Sequence, residues 1–123
     1  IPSGGKTTIQ IGTRELIAAI ERSSLLISDN IKSPLRLYFE ENMIRISCST
    51  AIGKSYDEIP CSQKGEDVEI GFNSRYMLDA LKASECDQVQ LVLNGPLSPI
   101  KVMPTDGDAF TFLVLPVRLK SEQ

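Results

Sequence analysis

The stretch Ile9-Gln10-Ile11-Gly12-Thr13-Arg14-Glu15-Leu16-Ile17-Ala18-Ala19-Ile20 lies without a gap over Ile70-Gly71-Phe72-Asn73-Ser74-Arg75-Tyr76-Met77-Leu78-Asp79-Ala80-Leu81, at a shift of 70−9 = 61 residues. Each copy opens with apolar residues in alternation, the period of a half-buried strand. It then switches to apolar residues three and four apart, the period of an amphipathic helix. The spacing predicts helices over residues 13–24 and 74–84, with Thr13 as the expected N-cap of the first. Both helices start directly from a short strand.

Outward from this pair, alternation marks strands at residues 8–11, 35–39, 43–47, 54–59, 68–72, 89–93 and 100–103. Glu40-Glu41-Asn42 between two of them is the expected hairpin turn. Residues 35–39 and 43–46 follow the first helix as 89–93 and 99–102 follow the second. The chain therefore reads as an α+β fold made of two β-α-β-β-β units, in halves of about residues 7–61 and 67–119, with a tail at 120–123. The two helices are expected side by side on one face of antiparallel sheets.

The run Phe110-Thr111-Phe112-Leu113-Val114-Leu115-Pro116-Val117-Arg118-Leu119 admits two readings. Apolar residues on both faces suit a central strand over 110–115 that Pro116 ends, because proline lacks the N–H a ladder needs. Alternatively, Leu113, Leu115, Pro116 and Val117 form an apolar groove beside the start of the second helix, able to take a peptide anchor.

Composition excludes much. The 123 residues, 41% hydrophobic and 24% charged, suit one globular domain with a modest core. Thirteen Lys and Arg against sixteen Asp and Glu leave a net charge of −3, so the chain's own field does not draw in a polyanion. The charge is layered, however: residues 13–24 sum to zero and 74–84 to +1, so the remainder holds −3 − (0 + 1) = −4.

There is no histidine, which rules out Ser-His and Cys-His nucleophiles, imidazole general bases and imidazole zinc sites. Cys48, Cys61 and Cys86 stand 13 and 25 residues apart, too far for a CxxC knuckle, and their odd number suits a reducing compartment. They read as small buried or half-buried residues. Ser3-Gly4-Gly5-Lys6-Thr7-Thr8 resembles the tail of a phosphate loop, but no strand precedes it and Thr7 leads into a strand rather than a helix. Asp106-Gly107-Asp108 reads as a hairpin turn, since the twelfth position of a calcium loop counted from Asp106 is Val117. No pair of carboxylates combines a buried place with a partner, so acid-base catalysis has no candidate, and no metal or cofactor is expected. Without a long apolar run or a signal peptide the chain is expected to be soluble and cytoplasmic, and its start at Ile1 reads as a cut.

Three pieces together carry a family resemblance: Ile70-Gly71-Phe72-Asn73 leading into Tyr76-Met77-Leu78-Asp79, the strand Leu35-Arg36-Leu37-Tyr38, and the ending Leu115-Pro116-Val117-Arg118-Leu119. Over residues 1 to about 119 the chain resembles the third, C-terminal domain of the bacterial replicative sliding clamps, the DNA polymerase III beta subunit family. The resemblance implies a non-catalytic domain of a head-to-tail homodimeric ring around duplex DNA, three such domains to a subunit. It implies a peptide groove at Asn73, Tyr76, Leu97, Pro99, Leu113, Leu115, Pro116, Val117 and Arg118, serving the polymerase alpha subunit, the clamp loader and other proteins with the clamp-binding motif. Arg14, Arg22, Arg75 and Lys82 would face DNA from the helices; Leu25, Leu26, Ser55, Tyr56, Asp57 and Glu58 would form the subunit interface. The chain departs from the family's pattern at Pro99, where a small hydroxyl residue is usual, and in the residues after Leu119. From the residues alone, a stand-alone protein-interaction module with no nucleic-acid role is the alternative.

Overall fold

The computed structural model describes residues 6–26, 34–50, 53–107 and 110–117. In chain order the elements are β1 (Thr7–Gly12), α1 (Thr13–Ser23), a single 3-10 turn (Ser24–Leu26), β2 (Leu35–Glu40), β3 (Met43–Thr50), β4 (Gly53–Pro60), β5 (Ser62–Lys64), β6 (Val68–Phe72), α2 (Ser74–Ser84), β7 (Gln88–Leu93), β8 (Ile100–Pro104), β9 (Phe112–Val114) and β10 (Pro116–Val117). The order β-α-β-β-β occurs twice, and α1 and α2 begin 74−13 = 61 residues apart.

The strands form two antiparallel five-stranded sheets, β5-β1-β7-β8-β9 and β10-β6-β2-β3-β4. Each unit lends its first strand to the other unit's sheet. Ile9 pairs with Leu91 and Ile11 with Val89, while Ile70 pairs with Leu37 and Phe72 with Leu35. These two sets of pairs are related by the same shift in the leading strands, which makes the arrangement pseudo-twofold.

One core unites both sheets and both helices. Ile9, Leu16, Ile20, Leu37, Phe39, Ile70, Phe72, Met77 and Leu91 are fully shielded from solvent. Each such Leu, Ile or Phe contributes about 1.5–3 kcal/mol by leaving water. In α1 the buried stripe is Leu16, Ala19 and Ile20, and in α2 it is Met77, Ala80 and Leu81, the same positions displaced by 61.

The turns follow local chemistry. Glu41 and Asn42 join β2 to β3 with φ of 55° and 64°, the paired left-handed residues of a type I′ hairpin whose twist matches its strands. The turn is tied to the β4–β5 junction: Cys61 N donates to the Asn42 carbonyl at 2.9 Å and Gln63 N to Asn42 Oδ1 at 2.9 Å.

Three expectations need correction, and one strand is new. Thr13 is not the N-cap of α1; Gly12 holds that place without a side-chain cap, and the buried Thr13 hydroxyl has no partner. The first helical amide is satisfied from elsewhere, Thr13 N donating to the Asp87 carbonyl at 2.8 Å. The terminal run is not one central strand over 110–115: β9 is an edge strand of one sheet, β10 an edge strand of the other, and Leu115 is the single residue between them. Pro116 does not end the pairing but starts β10 opposite Phe72, the position in a strand where a missing N–H is tolerated. Finally, β5 escaped the periodicity because Ser62-Gln63-Lys64 is short and wholly polar, yet it pairs Gln63 with Ile9. Gly65, at φ of 111°, follows it where any Cβ would collide with the backbone of Lys6 and Thr7. Asp106 and Gly107 lie in the connection between β8 and β9, and Asp108 is outside the described residues.

Candidate functional site

The chain crosses from one sheet to the other at Leu115, and that crossing leaves an apolar seam uncovered. Ile100 pairs with Val114, so Pro99 and Leu115 leave the ends of β8 and β9 together. Pro116 lies opposite Phe72, which places the seam one residue from Asn73 at the start of α2. Asn73 is a true N-cap: its Oδ1 accepts from Arg75 N at 2.9 Å and from Tyr76 N at 3.4 Å. Val114 and Ile100 turn into the core, and the alternation of a strand then turns Leu113 outward beside its cross-strand partner Lys101.

Tyr76, Leu97, Leu113 and Leu115 are each 60–65% exposed, Val117 less so, and Pro116 and Pro99 are half-buried. Large apolar side chains this exposed on adjoining elements mark a surface that a partner can cover. The structure thus brings Asn73, Pro99, Leu113, Leu115, Pro116 and Val117 to one seam, with Tyr76 one turn into α2 and Leu97 in the connection before β8. Arg118 lies outside the described residues.

The helix layer carries Arg14, Arg22, Arg75 and Lys82, all exposed. Arg22 and Lys82 face carboxylates of described residues. Arg22 meets Asp57 Oδ2 through Nε at 2.8 Å and Nη2 at 2.6 Å. Lys82 Nζ on α2 lies 3.3 Å from Glu21 Oε2 on α1.

Among the described residues β4 is the edge of the second sheet opposite β10. Ser55 and Asp57 point to the helix side, where Ser55 Oγ donates to the Ser23 carbonyl at 3.2 Å. Tyr56 and Glu58 point outward, the phenol donating to Glu58 Oε2 at 2.7 Å and Arg45 Nε reaching the same oxygen at 3.1 Å. These bonds hold the Glu58 carboxyl below its ordinary value, the Tyr56 bond contributing most, and the Tyr56 phenol is raised by its bond to Glu58. Leu25, in the 3-10 turn beside this edge, is 82% exposed, and Leu26 is described in its backbone only.

Sequence reasoning missed the links between these surfaces. Arg22 and Asp57 are 35 residues apart with no local pattern to connect them. The Glu21–Lys82 pair was within reach, since 82−61 = 21 makes the two residues equivalent positions of the repeat, which meet where a pseudo-twofold axis passes between the helices.

Burial raises the Cys48 thiol and pushes Cys61 up to about 11, away from the thiolate form that attacks or ligates. Among the described residues no group of His, Cys, Asp or Glu is placed to hold a metal ion, and no helix is long and apolar enough to cross a membrane.

Comparison with known proteins gives the frame for these surfaces. The family described as DNA polymerase III beta subunit, C-terminal domain, matches residues 1–118. The beta sliding clamp of Bacillus subtilis (strain 168) is 34% identical over 121 residues, 96% of this chain and 32% of the relative. Among solved structures, the Bacillus subtilis sliding clamp is similar with a TM-score of 0.89 at 32% identity, over 98% of this chain and 32% of its own. A Pseudomonas aeruginosa sliding clamp bound to griselimycin has a TM-score of 0.87 at 27% identity, over 97% of this chain and 32% of its own. The chain spans about a third of the length of the relatives it matches. With a family match over nearly all its residues and the paired-helix, paired-sheet fold of solved clamps, the chain belongs to the family of beta sliding clamp C-terminal domains, those of the DNA polymerase III beta subunit.

Proposed function

We propose that the chain acts as the third domain of a ring-forming, non-catalytic processivity factor that encircles duplex DNA and tethers replication and repair proteins through the Leu113–Val117 seam. The observation that carries this reading is the seam itself: four large apolar side chains, each 60% exposed or more, gathered where the chain changes sheets beside a capped helix start. That a clamp of this family is solved with griselimycin bound supports a ligand-accepting surface on such proteins. Leu and Phe anchors of a clamp-binding peptide would seat against Leu113, Leu115, Pro116 and Val117, with Asn73, Tyr76, Leu97 and Pro99 around them, and the family resemblance adds Arg118 to the groove.

In the homodimer the β4 edge, Tyr56 to Glu58, with Ser55, Leu25 and Leu26 beside it, pairs with the first domain of the other protomer. The helices face the hole, where Arg14, Arg22, Arg75 and Lys82 meet phosphates weakly. A strongly basic lining would grip in a salt-dependent way and oppose sliding. The protein then works in the bacterial cytoplasm, with the polymerase alpha subunit and the clamp loader among its partners.

Hydrogen exchange with a saturating Gln-Leu-x-Leu-Phe peptide tests the groove. The amides of Leu113, Leu115 and Val117 gain protection, and Leu115→Ser weakens peptide binding tenfold or more, as for a buried anchor contact worth over about 1.4 kcal/mol. Uniform exchange with and without peptide would overturn the assignment.

A further inference from the structure

We infer that Asp57 and Glu21 mask the helix layer's cations, holding Arg22 and Lys82 on carboxylates so that the face offers a phosphate less positive charge than its sequence carries. The inference rests on the reading that this layer faces DNA. Arg22 gives both Nε and Nη2 to one oxygen of Asp57, at 2.8 and 2.6 Å, while 57% of its side chain stays open to solvent. The guanidinium is thus within reach of an incoming anion but already occupied.

Asp57 is held independently of Arg22. Its other oxygen, Oδ1, accepts from Glu58 N at 2.9 Å, and only 24% of the side chain is exposed. The carboxylate therefore remains beside the guanidinium as a counter-charge when a phosphate approaches. Lys82 and Glu21 form the looser pair, at 3.3 Å with more than half of each side chain exposed. The repeat explains why this second pair exists. Equivalent positions meet across the pseudo-twofold, where two lysines would repel, and one copy carries an acid instead. Masking is stronger at Asp57, whose geometry is closer and fixed.

A masked cation releases fewer counterions from DNA, and each full phosphate contact steepens the slope of log affinity against log salt by about 0.9. The test is anisotropy of a short mixed-sequence duplex titrated with this chain at several salt concentrations. Asp57→Asn is expected to raise affinity about threefold at low salt, with a slope steeper by up to about 0.9, and Glu21→Gln to do the same more weakly. In an Arg22→Gln background the gain from Asp57→Asn disappears. Glu69→Gln makes the same change in net charge on the far side of the second sheet, where Glu69 pairs with Arg36 at 3.0 Å, and leaves binding unchanged. An equal gain from Glu69→Gln would reduce the effect to net charge and overturn masking. No gain from Asp57→Asn while Arg22→Gln and Lys82→Gln weaken binding would overturn masking and leave the DNA-facing layer standing. If neither cation matters, the layer does not face DNA and both readings fall.

Discussion

At the start of α1 the chain enters the helix through Gly12, with the Glu15 carboxylate folded back over it; at the start of α2 Asn73 caps the helix and Tyr76 stands open to solvent. The strands beside the two starts differ in the same sense. β5 brings Ser62, Gln63 and Lys64 to the edge next to β1, whereas β10 brings Pro116 and Val117 to the edge next to β6, with Leu115 just before it. Under the shift of 61 the interior is preserved: Ile11 with Phe72, Leu16 with Met77 and Ile20 with Leu81 are all buried. A duplicated scaffold has kept its core twice and specialised one rim, closing one helix start with polar groups and leaving the other apolar and open.

The preserved interior can be broken from either half. Phe72→Ala is expected to destabilise the domain by about 3–5 kcal/mol and Ile11→Ala by about 2–5 kcal/mol, the range for truncating fully packed core side chains. Because β1 pairs with β7 and β6 with β2, each sheet contains strands of both halves. Urea unfolding of either variant should show one transition, coincident by circular dichroism and tyrosine fluorescence. Two separated transitions would show that the halves hold together independently and would sink the account of a shared core.

The two helix starts should respond oppositely to losing a side-chain oxygen. Asn73→Ala removes the acceptor for two amides of α2 and should cost about 1 kcal/mol. Thr13→Val removes a buried hydroxyl that bonds to nothing and should be neutral or stabilising by up to about 1 kcal/mol. Thermal melts decide between them. A cost at Thr13 equal to that at Asn73 would mean that both helices are capped from their side chains.

What was legible in the sequence follows the same division between interior and rim. Both helices and the strands β1 to β4 and β6 to β8 were readable, because burying one face imposes a period of 2 or 3.6 on the residues that do it. The α+β clamp fold and the family were legible from Ile70-Gly71-Phe72-Asn73 and the Leu115-Pro116-Val117 ending. The change of sheet at Leu115 was not. Apolar residues on both faces of a strand read as double burial, whereas here Val114 points inward and Leu113 and Leu115 outward. Periodicity cannot tell a side chain buried by the chain's own core from one left for a partner. The false N-cap at Thr13 has a similar origin: the carbonyl of Asp87, which satisfies its amide, is 74 residues away in sequence.

The outer faces of the two sheets extend the contrast to pH. On the first sheet Gln10 pairs with Gln90 in register and donates to the Gln88 side chain at 2.8 Å, a neutral ladder that nothing between acid and base can titrate. On the second, Tyr56, Glu58, Arg45 and Glu40 form a charged chain. A carboxyl held low when folded gives stability that is complete above its unfolded value of 4.5 and is lost as pH falls through the folded one. A phenol held high gives the reverse: its contribution is complete below 10.0 and is lost as pH rises through the folded value. Tyr56→Phe removes the larger cause of both shifts. The Glu58 carboxyl should move back toward its ordinary value while Arg45 still holds it partly down, and the alkaline loss of stability assigned to residue 56 should vanish. Carbon-13 titration of the Glu58 side chain measures the first and melting curves against pH the second. A Glu58 titration that does not move would place its control wholly in Arg45 and remove Tyr56 from the network.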